Sequence, residues 1–286
     1  RYKPVQVKGL NKAIDLEAGP THSCAVDAGG KTWCWGANKY GQLGNGTAKD
    51  SAIPVQVKGL TGAVQVGTGV YHSCARRRDG TISCWGRDSH GQATAPSGSY
   101  VSLTSGGYHT CAIDAAGTLS CWGRDDFGQA SPPAGTYSQV SADSLHTCAV
   151  TTAGDAVCFG RDSFGQATAP SGSFVEVSAG TNHSCGLQSD GTAACWGSNL
   201  HNRATPPAGT FVTVQAGYIH SCGLDTLGVV TCWGGNNHDQ LDIPAGLDAT
   251  SLDVGYRHSC SMDSSGVVVC WGDDADGQCT VREVVE

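Results

Sequence analysis

The chain has 286 residues and a formal charge of −8, with 41 Gly, 15 Cys and one Met. No run reaches the ~18 consecutive apolar residues of a membrane helix, and the basic residues are too scattered for a nucleic-acid footprint, which excludes both functions. Fifteen cysteines, nearly all regularly paired, call for an oxidising compartment: extracellular, cell-surface or periplasmic. An opening at Arg1 is that expected of a processed, secreted polypeptide or of a trimmed chain.

In chain order, residues 3–10 read as a short strand, and the heptapeptide at 4–10 recurs unchanged at 54–60. The second copy follows the loop at Gly41-Gln42. The first is therefore expected in the matching place after Gly277-Gln278, closing the N-terminus onto the last unit, with residues 280–285 beside it. Between these ends a unit repeats seven times, centred on residues 24–34, 74–84, 111–121, 148–158, 185–195, 222–232 and 260–270. The first cysteines lie 50, 37, 37, 37, 37 and 38 residues apart. A period in this range means stacked or radial supersecondary units, each too short to bury a core alone.

The third unit shows the pattern. Residues 101–104 alternate apolar and polar, 109–114 and 118–122 are strand-like, and Gly117 closes the turn between them. No segment carries a helical period, so the chain is all-β. Every unit places Gly third in its turn, from Gly30 to Gly266, which suits a three-residue hairpin loop ending in a left-handed residue. In the first unit that loop closes Asp27 against Lys31, pairs Val26 with Thr32 and Ala25 with Trp33, and sets Cys24 opposite Cys34.

Counting outward from the closing pair puts the cysteines at a non-hydrogen-bonded position, where opposed Cα atoms approach most closely. Seven cross-strand disulfides follow: Cys24–Cys34, Cys74–Cys84, Cys111–Cys121, Cys148–Cys158, Cys185–Cys195, Cys222–Cys232 and Cys260–Cys270. The competing reading is zinc held by His22, Cys24 and Cys34. Zinc pairs usually have two to four intervening residues, and a fourth ligand is missing. The aromatic after each second cysteine (Trp35, Trp85, Trp122, Phe159, Trp196, Trp233, Trp271) reads as a wedge between units. The recurrent His (His22, His72, His109, His146, His183, His220, His258) reads as a hydrogen-bonded structural imidazole.

The order His22-Ser23, Cys34-Trp35-Gly36 and Gly41-Gln42-Leu43-Gly44-Asn45-Gly46, repeated along the chain, resembles the regulator of chromosome condensation repeat family. The resemblance implies a seven-bladed β-propeller, residues 1–286 as one domain, with the N-terminal strand closing the ring. In length and in the trailing Gly-Gln-Ala-x-x-Pro, units two to six are similar to the propeller-type proteinaceous β-lactamase inhibitors. Departures are Phe159 for Trp, His201-Asn202 where Gly-Gln is expected, and Asp239-Gln240. Paired cysteines belong to neither pattern and point to an extracellular branch.

No nucleophile elbow, phosphate loop or zinc-protease helix is present, and Ser23 points away from His22 on its strand, so no catalytic residue, metal or cofactor is assigned. Function is expected on two loops per unit. One precedes the His and offers Tyr71, Tyr108 and Arg257; the other follows Trp-Gly and offers Asp88, His90, Asp125, Phe127, Asp162, Phe164, His201 and His238. Matching loops of the inhibitors supply aromatic and acidic contacts to an enzyme, which implies a non-enzymatic protein-binding module, inhibition being one form. The alternative is a cell-surface structural or adhesive component, self-assembling or glycan-binding through the near-identical Arg87-Asp88, Arg124-Asp125 and Arg161-Asp162. Cys279, the fifteenth cysteine, is either a buried thiol or a bridge to a partner, including a second copy.

Overall fold

Three short strands form each unit because apolar residues alternate between turns that only Gly closes without strain. Gly117 adopts φ 83° and donates its N–H to Asp114 O at 3.0 Å. Asp114 Oδ1 accepts from the backbone N–H of Ala116 and Thr118, fixing the hairpin tip. The computed structural model describes residues 5–7, 10, 12–277 and 279. In the third blade the sheet order is inner strand Tyr100–Ser105, middle strand His109–Asp114 and outer strand Leu119–Gly123. Seven such sheets, three- or four-stranded and all antiparallel, account for the described chain, with one 3-10 turn at Leu200–Asn202.

The expected register holds in every blade. Cys24 opposes Cys34 and Val26 opposes Thr32, with the Asp27 N–H donating to Lys31 O at 2.9 Å. All seven disulfides form within blades, across Cα–Cα separations of 4.0–4.1 Å. The sulfurs are bonded to one another, which removes the zinc reading.

The N-terminal strand closes the ring. Ser51–Gln56 is a fourth strand on the first blade, with Val55 opposite Cys34 and Gln56 opposite Trp33. Val5–Gln6 does the same on the last blade, Val5 opposite Cys270 and Gln6 opposite Val269. Val57 and Val7 each donate an N–H to the next carbonyl of their neighbour, Thr32 O at 2.9 Å and Val268 O at 2.8 Å. The repeated heptapeptide therefore does one job twice. Pro4, Lys8, Gly9, Gln278 and the tail at 280–285 lie outside the described residues.

Three belts join the blades. Six of the seven wedge aromatics cluster with the disulfide of the preceding blade, among them Trp85 with Cys24 and Cys34, Phe159 with Cys111 and Cys121, and Trp35 with Cys260 and Cys270. Inside that runs a closed circuit of imidazoles. Nε2 of His22 bonds Ser73 Oγ, His72 bonds Thr110, His109 bonds Thr147, His146 bonds Ser184, His183 bonds Ser221, His220 bonds Ser259 and His258 returns to Ser23, at 2.7–3.1 Å. Gly69 and Gly106 lie so close to these rings that a Cβ there would fall 2.2 and 2.3 Å from His Cε1. Innermost, side chains of one inner strand bond the backbone of the next. The Val66 N–H donates to Asp15 Oδ2 (2.7 Å), the Ala142 N–H to Thr104 Oγ1 (3.1 Å) and the Ala179 N–H to Ser141 Oγ (3.0 Å). The Ala18 N–H donates to Asp253, closing this belt between the last blade and the first.

One alignment changes. The fifth unit was expected to place His201-Asn202 at the Gly-Gln position. The backbone instead sets Asn202 (φ 63°) at the Gly and Arg203 at the Gln. Asn tolerates the left-handed region better than most residues. Arg203 takes over the Gln role, its carbonyl accepting from Ser221 Oγ and Trp233 Nε1.

Candidate functional site

The loops that precede each His and follow each Trp-Gly meet on one face, because His109 pairs with Gly123 and the Arg124 N–H donates to Tyr108 O. What shapes the second loop is its acidic or amide residue. Asp88, Asp125 and Asp162 accept the backbone N–H five residues on at 2.7 Å and a Thr or Ser hydroxyl six residues on at 2.6–2.7 Å. The Oε1 of the following buried Gln then accepts the backbone N–H of the residue two before it: Gln92 from His90, Gln129 from Phe127, Gln166 from Phe164 and Gln240 from His238, at 2.7–2.8 Å. Asp88, Asp125 and Asp162 thus build the loops, and the side chains they present are His90, Phe127 and Phe164.

Phe127 and Phe164 are 47% and 51% exposed, and Tyr40 38%. Across the first three blades Tyr40, Tyr71 and Tyr108 form one aromatic row, with ring centroids 4.7 and 6.0 Å apart. The guanidinium of Arg87 lies 5.1, 5.8 and 5.9 Å from the three rings, close enough for cation–π attraction to each. His90 packs edge-on against Tyr108 at 5.9 Å, and Arg124 approaches Tyr108 from the other side at 5.9 Å. Arg161 sits over Phe164 at 5.7 Å.

The structure brings Tyr71, Tyr108 and His90 together, with Phe127 and Phe164 continuing round the same face. His201 is exposed on the Leu200–Asn202 turn. The Nδ1 of His238 is 3.9 Å from Asp273 Oδ2. Arg257 lies over Tyr218 and Tyr256 at 5.8 and 5.3 Å. Those two tyrosines stack at 4.1 Å, nearly parallel. Sequence reasoning missed both, because it took the residue directly before His in every blade. The signal was Gly-Tyr two places before His in Gly217-Tyr218 and Gly255-Tyr256.

A second group, also missed, lies within the ring. The inner strands enclose a central cavity of about 240 Å³, lined by Glu17, Asp143 and Asp253 together with hydroxyl and amide side chains. Burial pushes Asp143 and Asp253 up to about 6 and Glu17 well above the ordinary carboxyl value. Outside the lining, burial pushes Asp15 and Glu176 up to about 7. Asp143 stands where the other units have Gly three residues before His, so the fourth blade alone carries a carboxylate at that position of the cavity lining. Cys279 is buried, with Sγ 3.2 Å from Asp273 O, which favours the buried thiol over a bridge to a second copy.

The family model of the Regulator of chromosome condensation (RCC1) repeat matches residues 13–42, 63–92, 100–129, 137–166, 174–203 and 249–278, and a second model of that repeat matches 29–76. No curated protein sequence matches the chain. Among solved structures, the entire ectodomain of the Physcomitrella patens receptor kinase CR4 is 24% identical, TM-score 0.71, over 90% of this chain and 72% of that one. The CRINKLY WD40 ectodomain of the Arabidopsis thaliana receptor kinase ACR4 is 21% identical, TM-score 0.71, over 95% and 99%. Prp20p of Saccharomyces cerevisiae is 18% identical, TM-score 0.73, over 92% and 83%. At these identities the likeness is one of fold. With six repeats matched at the positions that carry the hairpin, the wedge and the Gln lock, the chain belongs to the RCC1 repeat family.

Proposed function

We propose that this chain, as a single domain spanning residues 1–286, is a secreted, non-enzymatic binding module whose partner is a protein docking on the face of Tyr71, Tyr108, His90, Phe127 and Phe164. The observation that carries this is the gathering of Tyr40, Tyr71 and Tyr108 around Arg87, a rigid, partly exposed aromatic–arginine cluster. Tyr and Arg are the residues that dominate binding energy at protein interfaces. Seven disulfides suit an oxidising environment, and the two plant neighbours are ectodomains. Prp20p is described by its binding to Gsp1p and histones, which supports a propeller of this kind engaging proteins. Inhibition of an enzyme by occlusion is the form the resemblance to the β-lactamase inhibitors suggests.

The three near-identical loops favoured a repeated glycan site. Their arginines have unlike surroundings: Arg87 among three tyrosines, Arg124 paired with Asp126 at 2.6 Å, Arg161 over Phe164. Unlike surroundings suit one composite partner better than three copies of one ligand.

The test is capture from the native secreted fraction by the folded protein and by Tyr71→Ala/Tyr108→Ala. Capture should fall at least ~10-fold, with unfolding free energy changed by no more than about 1 kcal/mol. Undiminished capture by the double variant rejects this face, and three-site binding of an oligosaccharide on a glycan array supports the adhesive reading instead.

A further inference from the structure

We infer that the central cavity is a socket for a primary ammonium group on an aliphatic stem, the chemistry of a lysine side chain carried by the partner. This rests on the proposed docking face, since Tyr256 lines the cavity and stacks with Tyr218 on that face.

Three observations converge. Glu17, Asp143 and Asp253 line the cavity, and its lining contains neither Lys nor Arg. Arg76 acts on Asp15 outside the lining and is bonded to Gln65 Oε1 at 3.2 Å, and Arg257, also outside the lining, lies over the Tyr256 ring at 5.3 Å. Independently, Thr68 and Ser105 line the same cavity, are only 3% and 4% exposed, and their hydroxyls have no hydrogen-bond partner among the described residues. Buried polar groups are normally satisfied, so two such hydroxyls beside three carboxyls offer polar contacts to a group entering the cavity. An ammonium needs acceptors for three N–H donors, and hydroxyl and carboxylate oxygens are such acceptors.

Size and geometry select the occupant. The 240 Å³ cavity lies below the range of sites for drug-sized ligands but has room for one extended side chain. No group of three acidic or His side chains among the described residues is arranged to hold a metal ion, which disfavours a bare divalent cation. Tyr256 joins the cavity lining to the docking face, so a partner covering that face has side chains within reach of the socket. Carboxyls held partly protonated by burial release protons when a cation enters.

The probes are the capped tripeptide Gly-Lys-Gly, its norleucine counterpart, cadaverine and 1,5-pentanediol, titrated calorimetrically into the full chain at pH 7.5. Saturable binding of the lysyl peptide and cadaverine in mutual competition, without binding of the norleucine peptide or the diol, is the expected result. Glu17→Gln should weaken both at least ~10-fold. Asp143→Asn serves as the second variant if Glu17→Gln fails to fold, and the exposed Asp155→Asn should leave binding unchanged. Absence of saturable cadaverine binding, equal binding of the diol, or unchanged affinity in both channel variants overturns the socket. Binding of cadaverine but not of the peptide overturns the partner's lysine in favour of a free amine. Tyr71→Ala/Tyr108→Ala should leave cadaverine binding intact, so loss of the socket and loss of the docking face register separately.

Discussion

Five imidazoles of the circuit must carry their proton on Nε2. The hydroxyl each one faces already donates to a carbonyl: Ser73 to Gln42 O, Thr110 to Gln92 O, Thr147 to Gln129 O, Ser184 to Gln166 O and Ser221 to Arg203 O. It can therefore only accept from the ring. The same carbonyls accept the wedge indole of the next blade, Trp122 Nε1 on Gln92 O at 3.1 Å and Trp196 Nε1 on Gln166 O at 2.9 Å. Phe159 has no such N–H, so Gln129 O relies on Thr147 alone among the described side chains. Thr147→Val strands both the His109 N–H and the Gln129 carbonyl and should cost about 2–6 kcal/mol, from about 1–3 kcal/mol per orphaned buried group. Thr110→Val leaves Gln92 O with Trp122 and should cost about half as much. Urea unfolding of the two variants compares them directly, and equal losses would mean the circuit is not limited by these groups. The repeated His and its following Ser or Thr were plain in the sequence. Their bonding was not, because partners 38 residues apart meet only across a blade boundary.

Each blade is a hairpin with an inner strand added, and its disulfide ties the two hairpin strands at their closest pair. Removing the Cys111–Cys121 bridge as Cys111→Ala/Cys121→Ala should lower stability by about 2.5 kcal/mol on chain-entropy grounds. Loss of packing against Phe159 adds to that. Chemical denaturation measures it, and a loss near zero would show that the neighbouring blades already hold the hairpin. Register was legible because Gly at the third turn position leaves one way to close the loop. The fifth-unit shift at Asn202-Arg203 was less plain, because neither residue belongs to the usual pattern there; the 37-residue spacing from Gln166 was its one signal, and the bonds at Arg203 O bear it out.

At the scale of the whole ring, two buried sets titrate in opposite senses. Burial lowers the pKa of all seven histidines, to about 3 or 4 where a value is defined, from an ordinary 6.5. The unfolded chain binds their protons first, so their contribution to stability is lost as pH falls below 6.5. Burial raises five inner-strand carboxyls, Asp15, Glu17, Asp143, Glu176 and Asp253, several to about 6 or 7. The folded protein binds those protons first, which offsets the histidines between about pH 6 and 4.5. There the seven histidines outnumber the five carboxyls, the unfolded chain binds more protons than the folded one, and stability falls gently as the pH drops. Below about pH 4.5 the unfolded carboxyls also protonate, the offset disappears, and the decline should steepen sharply. Urea midpoints at pH 7, 5 and 4 follow this curve, and a protein no weaker at pH 4 than at pH 7 contradicts it.

By itself the sequence determined the all-β class, the seven units, the hairpin register, the disulfide partners and the closing strand. All of these are local or repeated relations, in which spacing fixes which residues oppose each other. Only the tertiary structure decided what the ring surrounds: a carboxyl-lined channel, and tyrosines from successive blades gathered about Arg87. Those groupings arise where different blades meet, and the angle at which packed sheets turn about an axis is set by side-chain packing between them, which no spacing along the chain records.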